Sequence, residues 1–249
     1  MIFWFSGTGN SEWVARLVAD GLRDELVFIP EVDMDREYVL KAGEKLGFVF
    51  PCYAWGVPAF VADFIRRVKI TGVGYTYYLS TCGDDTGRLK EEVCSLFASR
   101  GWQCCLGYEV KMPESYVCLP GFDIDPKDKE RSKCNKAVAR VEMAVDDILD
   151  SRQGVFETLP GIFPRTKSGL LRWGFNKWLM TAKHFWTLPT CTGCGTCESV
   201  CPMKNIKLVD GRVAWGDNCV MCLRCYHSCP QHALHWGKYT QSHGQYLKV

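Results

Sequence analysis

Eight of the chain's 15 cysteines stand at regular spacing near its end. They form two copies of the pattern C-x2-C-x2-C-x3-C-P, which are Cys191, Cys194, Cys197 and Cys201 before Pro202, and Cys219, Cys222, Cys225 and Cys229 before Pro230. Three thiolates spaced in this way on a turning loop can bind different irons of one cubane, while the fourth cysteine binds the other cluster. The pattern predicts two [4Fe-4S] clusters with crossed ligands, one held by Cys191, Cys194, Cys197 and Cys229, the other by Cys219, Cys222, Cys225 and Cys201.

A pair of structural zinc sites is the alternative use of these cysteines. Zinc sites usually take two ligand pairs separated by a long spacer, whereas each copy here is one contiguous run of four cysteines. An odd total of cysteines also argues against a secreted disulfide scaffold. We therefore favour iron, and we expect the remaining cysteines to be small buried residues: Cys52, Cys82, Cys94, Cys104, Cys105, Cys118 and Cys134.

A second group of candidate residues lies in the loop Ser6-Gly7-Thr8-Gly9-Asn10-Ser11. Hydroxyls and backbone N–H groups at the start of a helix favour an anion such as phosphate. No lysine precedes Lys41, which excludes a Walker loop, and Glu12 stands where a dinucleotide fingerprint needs its third glycine. A phosphatase loop would need a nucleophilic cysteine and an arginine, which are absent here. We predict a loop that binds a terminal phosphate without transferring it.

Short apolar runs and amphipathic segments alternate in the part of the chain that must position this loop. The predicted strands are 2–5, 26–30, 46–50, 75–80 and 103–110, and the predicted helices are 10–23, 59–68, 85–100 and 128–150. Strands that are apolar on both faces and alternate with helices indicate a parallel sheet covered on both sides. The expected fold is α/β, with a five-stranded parallel sheet of the doubly wound type, followed by a small α+β unit that carries the cysteine motifs.

The charge distribution changes near residue 157. Residues 1–157 hold 19 Lys and Arg against 25 Asp and Glu, whereas residues 158–249 hold 11 against 3. We predict three parts: a sheet domain over 1–152, a connector over 153–187 and a cysteine domain over 188–249. Helical spacing of apolar residues predicts an amphipathic helix from Leu170 to Trp186 in the connector.

The apolar face of this helix has three possible uses. We expect it to pack within the protein and to leave Phe175, Trp178 and Phe185 protected from solvent. An external redox partner and a membrane surface are the alternatives. Because no lipidation signal accompanies the helix, we expect no membrane contact.

The loop of residues 6–11, directly after the first strand, resembles the FMN phosphate loop of flavodoxins. The resemblance covers about residues 1–150, and it implies that the phosphate contacts are Ser6, Gly7, Thr8, Gly9, Asn10 and Ser11. It places the flavin ring between two loops at the carboxyl ends of the third and fourth strands. These loops contribute Pro51, Tyr53, Ala54, Trp55 and Gly56, and Thr81, Cys82, Gly83 and Asp84. Trp55 or Tyr53 would stack on the ring, and Gly56 would let the backbone approach it; a core contact is the alternative for Trp55.

The cysteine-rich end resembles bacterial two-cluster ferredoxins, and the whole chain resembles a family of flavodoxin–ferredoxin fusion proteins. The residues Met112-Pro113-Glu114-Ser115-Tyr116 resemble a further motif of that family. The resemblance implies an iron–sulfur flavoprotein that passes electrons between FMN and two [4Fe-4S] clusters and an unidentified redox protein. Two alternatives remain: a flavin-dependent reductase of a small molecule or of NAD(P)H, and a non-catalytic redox-sensing or assembly module.

The sequence also predicts what surrounds the protein. Every apolar run is shorter than the ~18 to 20 residues that span a bilayer, and the first residues lack a basic start and a cleavage site. We therefore expect a cytoplasmic protein. We expect no nucleic-acid partner.

Overall fold

The computed structural model describes residues 1–248 and contains a six-stranded parallel sheet. The first eight strands are β1 (Ile2–Trp4), β2 (Leu26–Phe28), β3 (Glu37–Val39), β4 (Leu46–Pro51), β5 (Lys69–Thr71), β6 (Thr76–Cys82), β7 (Cys104–Lys111) and β8 (Val155–Glu157). The sheet has the order β2-β1-β4-β6-β7-β8, while β3 and β5 form a separate parallel pair. Its first five strands therefore follow the order 2-1-3-4-5, which is that of flavodoxin-like doubly wound folds.

Two pairs of helices cover the two faces of the sheet. They are α1 (Asn10–Leu22), α2 (Ala59–Arg67), α3 (Leu89–Ser99) and α4 (Lys127–Leu149). Side chains alternate between the faces of a strand, so Phe3 and Phe48 pack in the core with α2 and α3. Ile2 and Val49, each next to one of these, pack in the other core with α1 and α4. Burial on both faces explains why the strands are apolar at successive positions.

The prediction of an α/β fold is confirmed, but the predicted number of sheet strands was one too low. The sixth strand, β8, pairs with β7 over three residues and lies in the segment predicted to be a connector. Arg140 fixes it by donating from its guanidinium to the carbonyl of Glu157 at 2.8 Å. A strand of three residues leaves too little alternation in the sequence to be recognised.

The cysteines outside the two motifs differ from one another in burial. Cys82, Cys105 and Cys118 are buried, as expected, whereas Cys52 and Cys134 are only partly buried. Cys94 in α3 and Cys104 in β7 are joined by a disulfide and are only partly buried, so the expectation of small buried residues is wrong at these two positions.

The cysteine-rich part is built from short elements with twofold repetition. The connector before it contains two short helices, α5 (Pro164–Thr166) and α6 (Arg172–Trp178). The elements of the cysteine-rich part are β9 (Phe185–Thr187), α7 (Thr196–Ser199), β10 (Ile206–Val209), β11 (Arg212–Trp215), α8 (Arg224–His227) and β12 (Leu234–Trp236). The antiparallel pairs are β10 with β11 and β9 with β12. This is the small α+β unit that the cysteine spacing predicts.

The connector does not contain the single helix predicted from Leu170 to Trp186. A π-helical turn over Lys167–Leu171 joins α5 to α6, which ends at Trp178, and Phe185 already belongs to β9. Phe185 is buried and Phe175 is partly buried, but Trp178 is 58% exposed. The expectation that all three are protected is therefore wrong at Trp178. Among residues 1–248, no helix combines the length and the apolar character that crossing a bilayer requires.

The end of the chain returns to the loop that follows β1. The hydroxyl of Tyr246 donates to the side-chain oxygen of Asn10 at 2.7 Å, and the amide of Lys248 donates to the carbonyl of Thr8 at 2.8 Å. Asn10 in turn donates to the carbonyl of Pro113 at 2.9 Å. These buried contacts connect the last residues of the cysteine-rich part to the phosphate-binding candidate loop.

We predict that Tyr246→Phe loosens this loop. The substitution leaves the buried amide oxygen of Asn10 without its donor, which typically costs about 1 to 3 kcal/mol. Hydrogen exchange of the backbone amides of residues 8–11 should become about tenfold faster. The control is Tyr239→Phe, which removes a hydroxyl from a partly buried tyrosine far from the loop in sequence. It should leave these exchange rates unchanged. Equal exchange rates in wild type and Tyr246→Phe would show that the contact does not hold the loop.

Candidate functional site

Two small cavities in the cysteine-rich part are each lined by four cysteines. Cys191, Cys194 and Cys197 line the first cavity together with Cys229. Cys219, Cys222 and Cys225 line the second cavity together with Cys201. Each cavity takes three cysteines from one copy of the motif and the fourth from the other copy, which is the grouping expected for crossed cluster ligands. Iron binding by the two groups stays a prediction.

The two fourth cysteines have matching surroundings. The amide of Asn205 donates to the sulfur of Cys201, and the amide of Ala233 donates to the sulfur of Cys229, both at 3.3 Å. Each donor lies four residues after its cysteine. Hydrogen bonds to cluster sulfurs are one of the ways in which a protein sets a reduction potential, so the two sites share this feature.

The backbone also repeats, with one difference between the copies. Gly193 and Gly195 in the first copy have φ of 64° and 78°, and Met221 and Leu223, 28 positions later, have φ of 52° and 58°. A non-glycine residue in this left-handed region costs roughly 1 to 2 kcal/mol. The second copy therefore keeps two bulky side chains where glycine would be less strained, and both are buried.

The donor atoms fit iron–sulfur clusters. Both groups of four consist only of cysteine, whose thiolate is the usual ligand of [4Fe-4S] clusters. Within residues 1–248, no three His, Cys, Asp or Glu side chains come close enough together to bind one metal ion directly. Thiolates that bind separate irons need not meet at one point.

A larger cavity of about 370 Å³ opens at the carboxyl ends of β1, β4 and β6. This volume is within the usual range for cofactor and small-molecule sites. It is lined by most of the residues expected to contact FMN, namely Ser6, Gly7, Thr8, Asn10, Ser11, Pro51, Tyr53, Ala54, Trp55, Thr81, Cys82, Gly83 and Asp84. Gly9 and Gly56 are the two predicted contacts that do not line it.

The loop after β1 presents an uncapped helix start to the cavity. No side chain caps α1, which begins at Asn10 directly after Gly9. Ser6 accepts from the amide of Gly9 at 3.0 Å, and the hydroxyls of Ser11 and Thr81 are hydrogen-bonded at 2.7 Å. The free N–H groups at the start of α1 and the buried hydroxyls beside them are a suitable site for a phosphate.

Gly9 and Asn10 have structural tasks in this loop. Gly9 has φ of 94°, and a Cβ atom there would overlap the carbonyl oxygen of Lys248. The side chain of Asn10 is fully used by Tyr246 and Pro113. Both residues thus pack against residues 246–248, and the phosphate contact expected for Asn10 would come from its backbone N–H.

The loop after β4 places the aromatic residues Tyr53 and Trp55 at the cavity. Ala54 and Trp55 have φ of 44° and 61°, and the carbonyl of Trp55 accepts from the hydroxyl of Ser168 at 2.8 Å. Trp55 is therefore held in a strained conformation beside the cavity and is not part of the core cluster. A Cβ atom at Gly56 would overlap the guanidinium of Arg172, which is a further reason for glycine at this position.

Two of the cysteines at the cavity, Cys52 and Cys82, have neutral thiols. Burial raises the pKa of Cys52 and that of Cys82 far above the ordinary value of a thiol, so both remain protonated at neutral pH. The hydrogen bond from Lys111 lowers the pKa of Asp84, while burial raises the pKa of Glu114. Asp84 is therefore ionised at neutral pH, whereas the thiols of Cys52 and Cys82 add no charge to the cavity.

Two polar atoms at the cavity are unsatisfied within the described chain. Asp85 Oδ1 and the hydroxyl of Tyr116 are buried, and neither has a hydrogen-bond partner among residues 1–248. Both residues line the cavity. Since buried polar groups are normally paired, a polar ligand such as the flavin ring or its ribityl chain fits this space.

Several residues that line the cavity were not predicted as contacts. The loop between β7 and α4 contributes Met112, Pro113, Glu114, Ser115, Tyr116, Leu119 and Phe122. The connector contributes Lys167, Phe175 and Met180. Met112–Tyr116 resembles a family motif, but the resemblance did not assign these residues to a cavity. Met221, Cys222 and Leu223 come from the cysteine-rich part, and no sequence pattern places them at the cavity.

The large cavity and one cysteine cavity share a wall. Cys222 lines both of them. A Cβ atom at Gly7 would overlap the backbone and Cβ of Cys222, and Arg224 donates to the carbonyl of Gly7 at 3.2 Å. Burial raises the pKa of Tyr53, and the nearby sulfurs of Cys222 and Cys219 raise it further, which places this ring close to the same wall.

A family model matches the cysteine-rich part of the chain. Residues 190–234 match the family model described as a 4Fe-4S dicluster domain. No curated protein matches the chain.

Solved structures are similar to the sheet-containing part. A flavodoxin from the domain Archaea has 14% identity and a TM-score of 0.35, with 58% of this chain and 96% of that chain covered. The Trp repressor binding protein from Bacillus subtilis has 16% identity and a TM-score of 0.35, with 56% and 94% covered. Rubredoxin oxygen:oxidoreductase from the anaerobe Desulfovibrio gigas has 15% identity and a TM-score of 0.33, with 59% and 36% covered. The chain thus joins a parallel sheet with the flavodoxin strand order to a 4Fe-4S dicluster domain.

Proposed function

We propose that the protein is an iron–sulfur flavoprotein that transfers electrons between FMN in the large cavity and two [4Fe-4S] clusters. The observation that carries this proposal is the wall shared by the cavity and the site of Cys201, Cys219, Cys222 and Cys225. A ligand of that cluster would lie against the flavin site with no other domain between them.

When bound, FMN would serve as a two-electron carrier that can release its electrons one at a time, and each cubane accepts a single electron. The chain's own residues position these groups. The start of α1 would hold the phosphate, Trp55 would supply an aromatic face to the ring, and the protonated thiols of Cys52 and Cys82 would add no charge beside it.

The two cluster sites would have different tasks. The site containing Cys222 borders the cavity and would exchange electrons with the flavin. The site containing Cys194 does not contribute to the cavity, and Cys194 is exposed. It would therefore be the site that reaches an external redox protein, which is the partner we propose.

A second function, reduction of a small molecule above the flavin, is favoured by one observation. Glu114, Phe122, Phe175 and Met180 line the cavity from elements outside the predicted FMN loops. They would enclose a space beside the ring. Steady-state turnover with a purified small acceptor and no protein partner would support the reductase, and electron exchange only with another redox protein would support the carrier.

The cofactor content tests the proposal first. We expect one FMN and eight irons per chain in protein purified without oxygen, because the chain has one phosphate loop and two four-cysteine sites. Acid extraction with chromatography of the flavin and iron analysis give the numbers. Zinc in place of iron, or FAD in place of FMN, would contradict the assignment.

Substitution of a fourth cysteine tests the crossed ligands. Cys201→Ala should damage the cluster bound by Cys219, Cys222 and Cys225, since its sulfur lies in their cavity. Cys229→Ala is the matched variant and should damage the other cluster. Cluster-resolved electron paramagnetic resonance distinguishes them. Loss of the cluster nearest in sequence, in either variant, would show that the ligands are not crossed.

The flavin site is tested with Trp55→Ala. Removal of the ring should weaken FMN binding or shift its potential, because stacking contributes about 1 kcal/mol beyond area burial, while the iron content stays the same. Trp102→Ala, which removes a tryptophan of the sheet core, should lower stability and serves as a comparison. An unchanged FMN affinity and potential in Trp55→Ala would exclude a stacking role for this residue.

A further inference from the structure

A cluster of large apolar side chains is exposed on the connector. It comprises Ile162, Phe163, Leu170, Leu171, Trp173 and Trp178, and Ile162 and Phe163 are 72% and 74% exposed. We call it the 162–178 surface. These six are half of the large apolar residues that the described chain exposes, and they lie within 17 consecutive positions. Such a concentration of exposed apolar residues marks an interaction site.

The charged residues that the connector itself contributes to the 162–178 surface are all basic. No acidic residue occurs from Thr158 to Cys197. Two of the basic residues hold the segment to the sheet domain: Lys167 pairs with Asp85, and Arg172 pairs with Glu92. These pairs neutralise the nearest acidic residues of the neighbouring elements. Arg165 and Lys177 are exposed and remain available to a partner.

The tryptophans and one lysine form a single group. The rings of Trp173 and Trp178 are 5.3 Å apart in an edge-to-face arrangement. The ammonium of Lys177 lies 4.8 Å from one ring and 5.5 Å from the other. Tryptophan and lysine together suit the boundary between lipid and water. The largely apolar indole ring lies in the lipid, and the ammonium of lysine faces the headgroups.

We propose that the 162–178 surface binds the surface of a membrane that contains anionic lipids. Apolar side chains on a short helix with basic residues beside them are the composition of interfacial helices. Anionic headgroups complement Arg165 and Lys177, whereas a second copy of this chain would bring the same positive residues together.

The proposal differs from the expectation drawn from the sequence, which had the apolar face packed inside the protein. The structure ends α6 at Trp178 and turns this residue outward. Two ion pairs at the base of the segment hold it in place, so the surface is already formed without lipid. Lipid binding by this surface is independent of the proposed redox function and can be measured whether or not that function is correct.

Co-sedimentation of the purified holoprotein with vesicles tests the proposal. Vesicles of phosphatidylglycerol and phosphatidylcholine should bind the protein, and binding should weaken as salt is added. Vesicles of phosphatidylcholine alone should bind it at least about tenfold more weakly. Absence of binding to the anionic vesicles, or equal binding to both kinds, would overturn the proposal.

Matched variants identify the surface. Trp173→Ser with Trp178→Ser should reduce the partition coefficient about tenfold or more, as should Arg165→Glu with Lys177→Glu. The control is Met143→Ser with Leu149→Ser, which removes two equally exposed apolar residues from α4. Loss of binding in the control, or its retention in both test variants, would contradict the assignment. A dimer in solution that the tryptophan variant dissociates would show that a second copy occupies the surface.

Discussion

The loop that carries Cys222 packs directly on Gly7, and the arrangement of the molecule depends on this contact. A side chain at Gly7 would overlap Cys222, so the phosphate-binding candidate loop and the cysteine loop can approach only because this residue is glycine. The contact closes one wall of the large cavity with residues from the cysteine-rich part. Neither part encloses the cavity alone.

Other interactions reinforce the same contact. Arg224 donates to Gly7, and the end of the chain bonds to Thr8 and Asn10. The left-handed conformations of Met221 and Leu223 belong to this arrangement, because both side chains line the cavity from the strained positions. Burial of two large apolar side chains contributes several kcal/mol, which offsets a strain of roughly 1 to 2 kcal/mol at each position.

The sequence predicted the fold class and the membership of each four-cysteine cavity, because hydrophobic periodicity and cysteine spacing are local patterns. Most of the residues predicted to contact FMN line the large cavity, since parallel strands bring their carboxyl ends to one edge. The sequence missed β8, which is too short for a pattern, and Cys222 at the cavity, which depends on packing between distant segments. Gly9, Asn10 and Gly56 were assigned to FMN, and each also meets a distant segment: a Cβ atom at Gly9 or Gly56 would overlap Lys248 or Arg172, and Asn10 accepts from Tyr246. Trp178 was expected to be buried, but it is exposed. Helical periodicity identifies the apolar face of a helix, but it does not identify what packs against that face.

The central claim is that the flavin site and one cluster site share a wall at Cys222. Diffraction from crystals of the anaerobic holoprotein at the iron absorption edge measures this directly. Two separate iron positions are expected, with the one among Cys201, Cys219, Cys222 and Cys225 adjoining flavin density that lies against Trp55. Flavin density outside the large cavity, or iron bound only at the site of Cys191, Cys194, Cys197 and Cys229, would contradict the account.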